Sequence, residues 1–183
     1  MRDKRRWDGE IAVCIGSGPS LSKVDCDLIG TTSARTIAIN SSWQMAPFAD
    51  VIYAGDAAWW QAHISGISAR GERWTCSRVA AREFGLHLHD ASGPYSSGLR
   101  AIELAAQFGA SRIVLIGFDC SVKGGSHWHG DHAKTKNPDA RLCELWKKQF
   151  AGLRFDEVEI INASRQSELD CFPRLDLEQA LVL

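Results

Sequence analysis

Seven short β-rich runs recur along the chain at residues 11–15, 36–39, 51–54, 74–76, 86–88, 113–116 and 158–161, and helical patterns separate them. Alternation of this kind predicts a parallel sheet wrapped by helices. The expected fold is a single doubly wound, Rossmann-like α/β domain over 1–183, with a mostly parallel sheet and helices on both faces. The clearest helix is predicted over 97–108, where Leu99, Ile102, Leu104, Ala105 and Phe108 form an apolar face and Gly109 supplies the stop. A second is predicted over 139–153. Leu142, Leu145, Trp146, Phe150 and Leu153 lie on one side of it, with Pro138 near its start.

In an open parallel sheet, ligands bind beyond the carboxyl ends of the strands. The residues that follow the seven runs are Ser17, Asn40, Asp56, Ser77, Asp90, Asp119 and Asn162. All are small polar or acidic residues, which suits a polar ligand lying along that edge. The same residue types also make turns and helix caps.

After the first run comes Gly16-Ser-Gly-Pro-Ser-Leu21, a tight turn whose glycines let backbone N–H groups approach an anion, with Ser20 or Ser22 placed to cap the next helix. Leu21 stands where a dinucleotide fingerprint has its third glycine. No Gly-Lys-Ser/Thr follows, so this is not a Walker loop either.

The run Cys120–His132 places three of the six histidines within six residues, directly after a predicted strand. Glycines flank them. His127, His129 and His132, with Asp131 beside them, are the candidate catalytic residues, because imidazole titrates near a working pH. Their spelling is similar to the metal-binding motif of metallo-β-lactamase-type hydrolases. A binuclear site of that type draws further histidines from downstream, and none follows His132. No metal site is therefore assigned, and a mononuclear zinc-like site stays as an alternative.

The chain has 183 residues, 45% hydrophobic and 23% charged, with a formal charge of −1. It lacks the broad cationic field that holds nucleic acid unaided, although Arg2, Lys4, Arg5 and Arg6 make a small basic start. Nucleic-acid binding is thus unsupported, and self-association is left open. No stretch reaches the 18 apolar residues of a membrane span, and the start lacks a signal-peptide core, so a cytoplasmic protein is expected. The six cysteines form no close pair and read as reduced thiols.

Five segments, in order and spacing, carry a resemblance: Gly16–Leu21, Ala38–Ser42, Ala49–Asp56, Ser96–Ala106 and Arg112–Asp119. Together they resemble the bacterial sialyltransferases that modify lipooligosaccharide, with their relatives among motility accessory factors and hydroxymethylpterin pyrophosphokinases. The resemblance covers about residues 11 to 165. The chain also looks like short phage-encoded members of the group, which share a His-Trp-x-Gly-Asp-His loop and a terminal segment such as Phe172-Pro-Arg174; the host cytoplasm would then be its setting. The resemblance implies a cytidine nucleotide held by Gly16, Ser17, Gly18 and Asn40, with Ser96, Ser97 and Gly98 lying against it and Asn162, Ala163 and Ser164 on the segment after the last strand. It implies a base in a lid loop over 120–137, with His132 the nearest match, Asp131 orienting it, and His127 and His129 the alternates. The family's lid tyrosines are missing here, so phosphate support falls to Lys123, Lys134, Lys136 or the histidines.

Two functions follow. One is a nucleotide-dependent transferase that moves a group from an activated donor to a hydroxyl or amine acceptor of unknown identity, with a loop histidine as general base. The other is a pyrophosphokinase-like or nucleotide-binding protein, for which Asp56, Asp119 and Asp131 are the candidate Mg²⁺ ligands.

Overall fold

The structure, a computed structural model, describes residues 5–91, 93–131 and 137–182. In chain order the elements are β1 (Ile11–Ile15), α1 (Lys23–Gly30), β2 (Arg35–Ile39), β3 (Val51–Tyr53), α2 (Ala57–His63), β4 (Glu72–Thr75) and α3 (Arg78–Phe84). They continue with β5 (His87–Leu88), α4 (Ser97–Gln107), β6 (Arg112–Ile116), α5 (Ala140–Ala151), β7 (Glu159–Asn162) and α6 (Leu177–Ala180). All seven expected strands are present, and they form one parallel sheet in the order β5-β4-β3-β2-β1-β6-β7.

The sequence pattern explains why the sheet is covered on both sides. Successive strand residues point to opposite faces, and the central strands are apolar at both parities, as parallel strands buried on two faces must be. Cys14, Ile37, Val51 and Leu115 share one face with Leu99, Ile102 and Ala105 of α4 and Phe150 of α5. Val13, Ile15, Val114 and Ile116 share the other with Cys26 and Ile29 of α1 and Ala180 of α6. Farther along that second face, Ile52 and Ala54 meet Trp59 and Trp60 of α2 and Ala80 of α3. Trp60 is wholly buried and donates its indole N–H to the Ala54 carbonyl at 2.8 Å, so its one polar atom is satisfied.

The chain walks outward from β1 to β5, returns through α4, and then adds β6 and β7 on the opposite side of β1. The strand order therefore reverses between β1 and β6, where Ile15 pairs with Ile116 and the two strands part at Gly16 and Gly117. Crevices form at such points of an α/β sheet, above the carboxyl ends.

Of the small basic start, Arg6 has its guanidinium 4.0 Å from the Phe108 ring centroid and pairs with Glu72 at 2.8 Å. Arg2 and Lys4 lie outside the described residues. Leu145, expected on the apolar side of α5, is 48% exposed.

Beneath α4, the Tyr53 hydroxyl and His89 Nδ1 are hydrogen-bonded at 3.0 Å, and both residues are buried. Burial pushes the His89 pKa down from 6.5 to about 4, helped by the nearby Arg100 charge. The unfolded chain thus binds a proton that the fold refuses across that window. Stability should be full above the ordinary histidine range and fall as pH drops from about 6.5 toward 4, by roughly 2–3 kcal/mol from this group. Denaturant unfolding of His89→Gln against wild type at pH 7 and pH 4.5 checks this, the variant losing less on acidification.

Candidate functional site

A cleft of about 490 Å³ opens above the parting of β1 and β6. It gathers residues from segments far apart in sequence, and ten of the expected site residues line it: Gly16, Ser17 and Gly18 after β1, Asn40 after β2, Asp56 after β3, Ser96, Ser97 and Gly98 at the start of α4, Asp119 after β6, and His127.

The glycine loop is held by contacts from both neighbouring strands. Gly16 N–H donates to the Ile116 carbonyl and Gly18 N–H to the Gly117 carbonyl, both at 2.8 Å. The buried Ser42 hydroxyl donates to the Gly16 carbonyl at 2.8 Å. The turns after β1 and β6 pass so closely that a Cβ on Gly16 would stand 2.5 Å from the Gly117 oxygen. Only glycine fits that approach. Ser22 caps α1, accepting from Val24 N–H at 3.2 Å, whereas Ser20 turns to Asp119. Ser20 donates its N–H to Asp119 Oδ2 at 2.8 Å and its hydroxyl to Oδ1 at 2.7 Å. Burial pushes the Asp119 carboxyl up, and these two hydrogen bonds oppose that.

The opposite wall is the N-terminus of α4. Ser96 is its cap and accepts from Leu99 N–H at 3.2 Å. The Ser97 hydroxyl accepts from Gly55 N–H at 3.0 Å, which ties the helix to the turn after β3. The first N–H groups of a helix have no intrahelical partner, so this end offers donors and the positive end of the helix dipole. Asp56 caps α2 through Ala58 N–H at 2.8 Å and is exposed at the cleft edge.

Asn40 and Cys120 line the same cleft with left-handed backbones, φ 50° and 49°. Such conformations are uncommon outside glycine and concentrate where a site dictates the backbone.

The histidine loop lies across the glycine loop. Trp128 N–H donates to the Ser17 carbonyl at 3.1 Å, and the Ser17 hydroxyl is hydrogen-bonded to His127 Nδ1 at 3.1 Å. His129 stacks on His127 with ring centroids 5.1 Å apart, and burial lowers its pKa. The Nε2 atoms of both imidazoles are shielded from solvent. Asp131 is exposed and outside the cleft lining. His132, the nearest match for the base, lies outside the described residues, as do Lys134 and Lys136; Lys123 is exposed and pairs with Glu168 at 2.8 Å.

Two expected contacts fall elsewhere. Asn162 is wholly buried, donates to Ser167 Oγ and the Leu169 carbonyl, and accepts from Ser164 N–H. Ser164, also buried, accepts from Phe118 N–H at 2.9 Å. The structure spends both on the turns after β6 and β7 rather than on the cleft. Of the remaining strand-end residues, Ser77 caps α3 and Asp90 is exposed.

The apolar lining went unassigned from sequence. Trp59, Phe118, Leu142, Trp146 and Phe150 all border the cleft. Leu142, Trp146 and Phe150 belong to the apolar stripe of α5, and the same stripe that packs on the sheet also reaches the ligand side. Among the described residues, no group of three His, Cys, Asp or Glu side chains is placed to hold a metal ion. No family model, curated protein sequence or solved structure matches the chain.

Proposed function

We propose that the chain is a nucleotide-dependent transferase, moving a group from a nucleotide-activated donor to a hydroxyl or amine acceptor, with His127 as the general base. The observation that carries this reading is the cleft itself. It lies where the strand order reverses, and it combines helix-end donors (Ser97, Gly98), acidic groups (Asp56, Asp119), aromatic faces (Trp59, Trp146) and an imidazole. A nucleotide needs each of these: dipole and N–H donors for phosphate, acceptors for hydroxyls, and flat apolar surface for the base. A cytidine nucleotide is the first choice through the five-segment resemblance.

The chemistry assigned to the chain's own groups is limited. His127 takes the acceptor's proton on Nδ1, the ring nitrogen that faces Ser17 and not the shielded Nε2, as that group attacks the donor. The α4 N-terminus stabilises charge that builds on the departing phosphate.

Thermal shift with CMP, UMP, AMP and GMP tests the binding step. At least one nucleotide should raise Tm by several degrees at a hundredfold excess over Kd. Ala58→Trp provides the matched control, because Ala58 is exposed on the cleft lining and an indole there fills the opening without breaking a core contact. That variant should keep its unliganded Tm and lose the shift. Turnover abolished by a chelator would favour the Mg²⁺-dependent pyrophosphokinase reading instead.

A further inference from the structure

A glycine loop after the first strand of an α/β sheet is an ordinary seat for phosphate, because its N–H groups converge on an anion. Here most of those groups are already spent, and Ser17 alone between Gly16 and Ser20 keeps its N–H for a ligand. Gly16 and Gly18 donate to the carbonyls of Ile116 and Gly117, Pro19 has no N–H, and Ser20 donates to Asp119. The loop has also received an anion of its own. The Asp119 carboxylate packs so closely on it that a Cβ on Gly18 would stand 2.3 Å from Oδ1. A phosphate in the same place would meet a carboxylate with no more than the Ser17 N–H to offset it.

Asp119 is 5% exposed, yet it lines the cleft. Ser20 fills one acceptor position on each of its oxygens. An ionised carboxylate has about four such positions, so each oxygen keeps one. Two acceptors side by side, with their orientation fixed from behind, match two adjacent O–H donors.

We propose that Asp119 binds the vicinal hydroxyls of the ligand's sugar, so that the ribose, and not the phosphate, sits on the glycine loop. The proposal rests on the nucleotide reading and specifies its ligand class as ribonucleotides. It also sets the polarity of binding: the phosphate is directed away from the loop.

The test measures affinity for the four ribonucleoside 5′-monophosphates and their 2′,3′-dideoxy counterparts by calorimetry. Wild type should prefer the ribonucleotide of the favoured base by roughly tenfold or more, the range for losing hydrogen bonds to a charged partner. Asp119→Asn should reduce that preference to within about threefold. The preference is a ratio within one variant, so any general weakening of the loop cancels. Ser20→Ala removes the hydroxyl contact to Oδ1 while keeping the backbone N–H contact to Oδ2 and the carboxylate charge, and should retain the preference. A wild-type preference near one, a preference retained in Asp119→Asn, or one lost in Asp56→Asn instead, would overturn the assignment while leaving nucleotide binding intact. No binding by any of the eight probes would overturn the nucleotide reading and this assignment with it.

Discussion

Gly16→Val should cost about 3 kcal/mol or more of folding stability, a large share of the roughly 5–15 kcal/mol that holds a domain folded. The branched side chain would start from a Cβ 2.5 Å from the Gly117 oxygen and 3.0 Å from Phe118 Cδ2. The first obstacle is backbone and cannot rotate aside. Relief requires β1 and β6 to separate at their ends, and that would break the hydrogen bonds from Gly16 N–H to Ile116 and from Gly18 N–H to Gly117. Gly66→Ala serves as the comparison, because nothing lies within 4 Å of a Cβ there. Urea unfolding of both variants should show a large fall in midpoint for Gly16→Val and a change within about 0.5 kcal/mol for Gly66→Ala. A Gly16→Val protein as stable as wild type would mean that the two turns do not approach as described.

The other large effect is catalytic. His127→Ala should lower turnover by roughly 10²–10⁴ while leaving nucleotide affinity within a few fold. Among the histidines of the described loop, His127 alone borders the cleft, and Ser17 fixes its ring from the glycine loop. A loss confined to turnover, together with loss of the acidic limb of the pH–rate profile, distinguishes proton transfer from a packing role. Ser17→Ala keeps the imidazole and loses only its anchor, so its turnover should drop by about tenfold or less. Full turnover in His127→Ala combined with a collapse in His132→Ala would transfer the base role to position 132.

Much of the frame is legible in the sequence. The seven strands are short β-rich runs, each ending at a small polar residue, and helices over 97–107 and 140–151 carry clear apolar stripes. The shorter helices carry no such stripe. In α2 the segment Ala57-Ala-Trp-Trp-Gln-Ala-His63 is too short for a 3.6-residue period to stand out, and its identity comes from Asp56 capping and the burial of Trp59 and Trp60. At the site, residue types at strand ends pointed to Ser17, Asn40, Asp56 and Asp119 on the lining, but not to its apolar half or its internal bonding. The Ser20–Asp119 pair spans 99 residues and exists only because β1 and β6 are neighbours. Nothing local in the chain distinguishes a glycine loop with open N–H groups from one whose donors are mostly committed. Asn162 and Ser164 show the same limit: a polar residue at a strand end can serve a neighbouring turn as readily as a ligand.

The adjacency of β1 and β6 also has a consequence for the order in which the molecule is made. Residue 15 pairs with residue 116, so about a hundred residues must leave the ribosome before the middle of the sheet can close. Until then β1 has only β2 beside it and an unpaired edge on its other side. Contacts of such long sequence separation form slowly, because the entropy of the intervening loop is lost before the pairing is gained. An N-terminal fragment ending before β6 would hold the glycine loop without Gly117, Asp119 or the histidine segment, and would contain no cleft. Ligand affinity is therefore acquired in one late step of biosynthesis, and a nascent chain stalled at residue 110 should present its hydrophobic β1 edge to chaperones rather than a half-formed binding site.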